Sequence, residues 1–350
     1  MSAQPNQNGL NENEKKGIEV TRELFRLATE RTAGDELAKQ MGLTYWQDAW
    51  KRLRKNRAAL AGLIIISIIL VLAIFGPFVS NYGFDDQDLN RSNLPPKIPV
   101  LENVSWLGVN GVDIRGVDQY KKKGITDYFW FGTDELGRDL WTRIWQGTRI
   151  SLYIALLAAM IDLLIGVAYG SISAYYGGRV DTVMQRIIEV LMGIPNLIIV
   201  ILFILILKPG IISITLAMVI TGWVGMARIV RGQILKLKGQ EFVLAARTLG
   251  APDRRLIWRH LIPNAMGPII ITTMFTVPSA IFTEAFLSFI GLGLQPPTAS
   301  LGTLVNDGYK LLRIYPHMMA ISSIVISLIM ISFNLLGDGL RDALDPKLRR

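Results

Sequence analysis

Long apolar runs alternate with short polar, basic stretches along this chain. The clearest run, Ala58 to Val79 (AALAGLIIISIILVLAIFGPFV), contains no charged residue. About 20 apolar residues cross the hydrocarbon core of a bilayer as a helix, and such uniformity does not fit a buried helix of a soluble protein. Further runs at about 150–175, 187–207, 211–227, 265–290 and 318–337 predict six spans in all. Asp162 falls in the second and Glu284 in the fifth. Lys208-Pro209-Gly210 reads as a tight hairpin between the third and fourth. Gly193-Ile194-Pro195 predicts a kink in the third.

Ahead of the first span, residues 1 to about 16 are polar and aperiodic, a disordered pattern. Val20, Leu24, Leu27 and Ala28 recur at helical spacing. In TYWQDAWKRLRKNR, Trp46, Trp50 and Leu53 share one helical face among Lys51, Arg52, Arg54, Lys55 and Arg57. Indoles set among basic residues fit a helix lying in the membrane interface, and equally a stop signal for the span that follows. Basic residues near span ends set the orientation. The cluster at 51–57 places the N-terminus in the cytoplasm. The basic connections 176–186 and 228–263 fall on the same side, and so does the DPKLRR terminus.

Composition narrows the function classes. The chain has 350 residues, 51% of them hydrophobic, and a net charge of +9. In a membrane protein that charge matches cytoplasmic loops facing anionic lipid, and nucleic acid is not expected as a partner. Cysteine is absent and only two histidines occur, His260 and His317, so disulfides, zinc and haem sites are not expected. No Gly-x-x-x-x-Gly-Lys-Ser/Thr is present, so the chain has no phosphate-cradling loop of its own. Asn103-Val-Ser matches a glycosylation triplet and is taken as chance. Asp181 and Glu189 could each pair with Arg186.

The stretch 241–263, EFVLAARTLGAPDRRLIWRHLIP, is too organised for a simple connector. Phe242, Ala245, Ala246 and Leu249 form one apolar helical face with a small-residue centre. Gly250 suits a helix C′ position, Pro252 the first turn of the next helix, and Asp253 the positive end of that helix. Leu256, Ile257 and His260 return an apolar face, and Pro263 divides the segment from the fifth span. The result is a compact apolar knuckle ringed by arginines, built either to dock into a partner or to rest on lipid.

Here a resemblance enters. LAARTLGAPDRRLIWRHLIP resembles the EAA loop of ABC importer permeases: Glu-Ala-Ala, three residues, Gly, nine residues, Ile-x-Leu-Pro. Ala245, Ala246, Gly250 and Pro263 match, while Leu244, His260 and Ile262 depart from the pattern. FGTDELGRDLWTRIWQGTRISL (131–152) is similar to the Gly-Thr-Asp-x-x-Gly-Arg-Asp signature of the peptide-importer branch. FTEAFLSFIGLGLQPPTASLGTL (282–304) is similar to its Gln-Pro-Pro element. The chain therefore resembles a C-type permease subunit of oligopeptide/dipeptide ABC importers.

That resemblance implies an all-α membrane protein with six transmembrane helices of ABC type I importer permease architecture and both termini cytoplasmic. The implied plan is an N-terminal extension at 1–43, an interfacial helix at 44–57, the first span at 58–79 and an extracellular loop at 80–149. A five-helix permease core follows at 150–337 with a coupling loop at 232–263, then a tail at 338–350. It implies a multi-pass protein of the bacterial plasma membrane that is not itself an enzyme. Phe242, Leu244, Ala245, Ala246, Leu249, Gly250, Pro252 and Arg255 would couple to an ATPase. The implied partners are a second homologous permease, two ATP-binding subunits that hold ATP and magnesium, an extracellular peptide-binding protein and the lipid bilayer. No cofactor is expected in this chain. Asp134, Arg138 and Asp139 are candidate contacts for the binding protein. Asp162 and Glu284 are candidates for the pathway or for attracting a peptide's amino terminus. As structural groups, Asp162 would instead bond a neighbouring helix and Glu284 would anchor the following loop. Burying such a charge costs roughly 2.5–3.5 kcal/mol at bilayer centre. Oligopeptides are the expected substrate; dipeptides, nickel chelates and opines are alternatives, and a self-sufficient secondary transporter is the rival class.

Overall fold

The computed structural model describes residues 45–99, 101 and 108–344. The helical pattern near residues 20–28 and the glycosylation triplet lie outside them. Of residues 1–48, only the start of the first helix is described.

Helix α1 (Tyr45–Lys55) places Asp48 in its first turn and Arg52, Arg54 and Lys55 in its last, the charge order that suits the helix dipole. Leu53 is buried with Ala59 and Ala343, while Trp50 stays exposed with the Arg54 guanidinium 5.2 Å from its ring centroid. Asn56 then starts α2 (Arg57–Phe75): its side chain accepts from the N–H groups of Ala58 and Ala59 at 3.1 and 3.2 Å.

The segment after α2, expected as a plain loop, is a small folded cap. It holds the short helix α3 (Gln119–Lys123) and a core of Leu94, Tyr120 and Phe129. The Tyr120 hydroxyl donates to the Pro95 carbonyl at 2.9 Å, and burial pushes its phenol above the usual range. The Val117 N–H, the Gln119 amide and the Arg115 N–H together hold Asp113 below the usual carboxylate range. The cap also absorbs the beginning of α4 (Leu140–Tyr176), which starts about ten residues earlier than the apolar run suggests. Its polar first turns face protein, so a hydropathy window does not register them.

Helix α5 (Gly178–Gly193) follows α4 almost at once, so the expected connection at 176–186 is mostly helix. It meets α6 (Asn196–Leu207) at Ile194-Pro195, where the pair bends by 79°. The expected third span is this broken pair. Helix α7 (Ile211–Leu237) runs well beyond its apolar run. Helix α8 (Glu241–Thr248) is the short knuckle helix. Helix α9 (Asp253–Phe289) is unbroken through Pro263, correcting the expected division there. A π-helical stretch at Leu256–Leu261 precedes the proline, and the Ile262 N–H bonds the Ile257 carbonyl. That local adjustment lets a residue without an N–H enter a continuous helix. Helices α10 (Leu301–Lys310) and α11 (Pro316–Leu344) complete the described chain.

Five of these helices are long and apolar enough to cross a membrane, six spans if the bent pair counts as one, among the described residues. Helix α4 lies along α7, and α2 lies along α11. The first contact is close because Gly166 and Gly170 sit four apart on α4. A Cβ on Gly166 would come within 2.6 Å of the Met226 Cβ, and one on Gly170 would strike the Ala227 carbonyl. The cap and α10 occupy one end of the bundle and α8 the other.

Candidate functional site

At the α8 end, Val243 is 1% exposed and anchors the knuckle among Val230, Ile234, Leu256, Ile257 and Leu261. The sequence pattern missed Val243, because the 3.6-residue period was phased on Phe242. Ala246 leans toward that core and is half-buried. Phe242, Leu244, Ala245 and Leu249 face outward, with Leu249 87% exposed. These side chains give α8 an apolar outer surface that its own chain does not cover. Gly250, with φ of +80°, ends α8: its N–H bonds the Arg247 carbonyl at 2.9 Å, and the Ala251 N–H bonds the Ala246 carbonyl at 3.1 Å. Pro252 precedes α9 as its N-cap, and Arg255 is exposed.

The knuckle is tied to the bundle through Tyr175, near the end of α4. Its hydroxyl donates to Asp253 at 2.5 Å and accepts from Arg247 at 3.2 Å. Lys238 reaches the Ala174 carbonyl at 2.8 Å. Nearby, Arg231 of α7 grips Asp181 of α5 through two bonds of 2.7 and 2.6 Å, and Ser173 adds a third at 2.5 Å. Asp181 therefore pairs with Arg231 rather than Arg186, whose partner is Glu189. A bidentate guanidinium–carboxylate pair is the stronger geometry, and sequence distance hid it.

At the opposite end, Asp134, Arg138 and Asp139 are 7%, 6% and 3% exposed. Asp134 accepts from the N–H groups of Leu136 and Arg138 and from the Arg138 side chain at 2.7 Å; Arg143 lies 3.4 Å away. Asp139 caps α4, accepting from the N–H groups of Trp141 and Thr142 and from the Thr142 hydroxyl. These side chains are spent inside the turn. Their expected contact with a docking protein would therefore have to come from the backbone or the neighbours of this turn rather than from these side chains.

The two acids within spans have different surroundings. Glu284 is fully buried, and the hydroxyls of Ser151 and Ser288 each donate to it at 2.8 Å. Ser151 in turn accepts from the Leu301 N–H at 3.2 Å, and Ser300 donates to Ser288 at 3.3 Å. The network joins α4, α9 and the N-terminus of α10. Asp162 is 6% exposed, and its Oδ1 has no hydrogen-bond partner among the described residues. It lines a cavity of about 340 Å³. The structure does not bring the two acids into one site.

Comparison with known proteins finds relatives by sequence. Residues 166–350 match the family described as binding-protein-dependent transport system inner membrane component. Residues 44–96 match the N-terminal transmembrane domain of oligopeptide transport permease C. The dipeptide transport system permease protein DppC of Bacillus subtilis is 47% identical over 95% of each chain. The oligopeptide transport system permease protein OppC of the same organism is 45% identical over 95% of this chain and 99% of that one. Among solved structures, an inward-facing MetNI methionine ABC transporter aligns at 16% identity and a TM-score of 0.49, covering 58% of this chain and 96% of that one. On the strength of the sequence matches, this chain belongs to the family of binding-protein-dependent transport system inner membrane components, multi-pass proteins of the membrane.

Proposed function

We propose that this chain is a pore-forming membrane subunit of an ATP-driven importer that carries oligopeptides into a bacterial cell. The observation that carries the reading is the outward apolar face of α8, held on a buried Val243 anchor and tied to α4 through Tyr175. Such a helix transmits force: a push on its outer face reaches the bundle as a rigid-body movement. The charge bias of the short loops supports a cytoplasmic α8, on the side where ATP is.

The chain has no P-loop sequence and is assigned no catalytic residue or cofactor of its own. Hydrolysis belongs to two separate ATP-binding subunits, which hold ATP and magnesium. Phe242, Leu244, Ala245, Leu249 and Arg255 meet a cleft on one of them, while Ala246, Gly250 and Pro252 shape the knuckle. A second, homologous permease completes the pathway, and an extracellular binding protein delivers the peptide. Closing of the two ATPases rocks the permeases between inward- and outward-facing states.

The named relatives handle oligopeptides and dipeptides at nearly equal identity, so peptide length is settled by assay. The full assembly in liposomes should take up a labelled hexapeptide only with magnesium-ATP inside the compartment that faces α8. Uptake of a dipeptide alone shifts the substrate class. Uptake driven by an ion gradient without ATP overturns the reading in favour of a secondary transporter.

A further inference from the structure

Asp162 stands on α4 against Gly222 of α7, where a Cβ on the glycine would overlap its carboxylate. Its Oδ1 is buried and unpartnered among the described residues. Beside it opens the cavity of about 340 Å³, walled by α4, α7, α9 and the first residue of α6.

Acceptors outnumber donors in the polar wall, whose side-chain donors are the Asn196 amide and the Ser279 hydroxyl. Thr272, Thr276 and Thr283 on α9 spend their hydroxyl hydrogens on the carbonyls of Pro268, Thr272 and Ser279, at 2.8, 3.0 and 2.9 Å. What these hydroxyls have left is oxygen lone pairs. Thr221 donates to the Asn196 side-chain oxygen at 3.0 Å. Among the described residues, no Lys, Arg or His lines the cavity. An unpaired carboxylate in an acceptor-rich hollow inside an apolar bundle calls for a cation with hydrogens to donate. A divalent metal suits the site less, since it wants several carboxylates or carbonyls at once. No cluster of three His, Cys, Asp or Glu capable of holding a metal occurs among the described residues.

We infer that Asp162 and the threonine wall of α9 form a subsite for a primary ammonium, and that the ammonium is the amino terminus of the peptide in transit. The second half of that statement rests on the peptide-import reading above; the ammonium chemistry does not. Glu284 does not fit this role: it is fully buried and does not line the cavity, and each of its oxygens already accepts from a serine hydroxyl. The arrangement also suits a transporter of varied peptides. It engages a terminal group that unblocked peptides share, while Met218 and Phe275 offer apolar wall without demanding a particular side chain.

The test uses the full importer in liposomes, with trialanine and N-acetyl-trialanine as probes. In Asp162→Asn, the ratio of trialanine to N-acetyl-trialanine uptake is expected to fall about tenfold, the loss of one charge-assisted bond. Equal loss for both peptides, or no loss, overturns the inference. A second measurement needs neither the variant nor the binding protein. The wild-type membrane complex is treated with dicyclohexylcarbodiimide, which attaches to carboxyl groups in apolar surroundings, and modification of Asp162 is counted by mass spectrometry. Trialanine is expected to protect Asp162 and N-acetyl-trialanine to leave it exposed; equal protection by both, or by neither, overturns the inference. Wild-type liposomes without ATP-driven uptake would count against the importer reading alone, because the labelling arm reads the ammonium site without transport.

Discussion

The turn at residues 132–139 and the knuckle at 241–250 sit at opposite ends of the bundle, and both carry motif residues. Their side chains are used in opposite ways. In the turn, Asp134, Arg138 and Asp139 are buried and paired with their own neighbours, so the polar groups hold the cap and start α4. In the knuckle, one valine anchors the helix, and the larger apolar side chains Phe242, Leu244 and Leu249 face away from the chain. The difference teaches that a motif marks residues the protein needs without saying whether folding or contact needs them. Burial and partners separate the two cases.

Substitutions can break that comparison. The largest effect is expected at Asp134→Ala, which leaves Arg138 and Arg143 without their buried carboxylate. Losing one member of a buried pair costs about 3–5 kcal/mol. Thermal unfolding of the detergent-solubilised chain should show a much earlier transition; an unchanged transition would mean the turn is not structural. Ser151→Ala should cost less, about 1–3 kcal/mol, because Glu284 loses one of two donors and the Leu301 N–H loses its acceptor. The same unfolding assay reads it, and a cost equal to that of Asp134→Ala would contradict the ranking. Leu249→Asp should change stability least, by no more than about 0.5 kcal/mol, since the side chain touches little of its own chain. A large destabilisation there would show that Leu249 packs internally. Ala246 is a poorer probe, because it leans into the core that Val243 anchors.

Much of the helical plan was legible in the sequence because apolar run length and span length are tied by helix geometry. Gly250 was legible for a local reason, as the left-handed φ it adopts favours glycine. What escaped depended on distant or compensating structure. The early start of α4 was hidden because Thr142 and Arg143 are polar residues buried against the cap. Pro263 reads as a break until a π-helical stretch supplies an alternative hydrogen bond. Arg231 lies 50 residues from Asp181, beyond any local pattern. The same holds for Tyr175, which carries the tie between α4 and the knuckle. For Asp162 and Glu284 the sequence offered one chemistry and two roles, and only the surrounding hydroxyls separate them.

The central claim is that the outer face of α8 receives the stroke of a separate ATPase. It is tested most directly by mass spectrometry of what co-purifies with the tagged chain from native membranes, comparing wild type with Leu249→Asp at equal amounts of folded chain. The account predicts P-loop ATPases and a second permease with the wild type, and the permease without the ATPases for the variant. Equal recovery of the ATPases with both chains, or a wild-type chain that emerges without any ATPase, would contradict it.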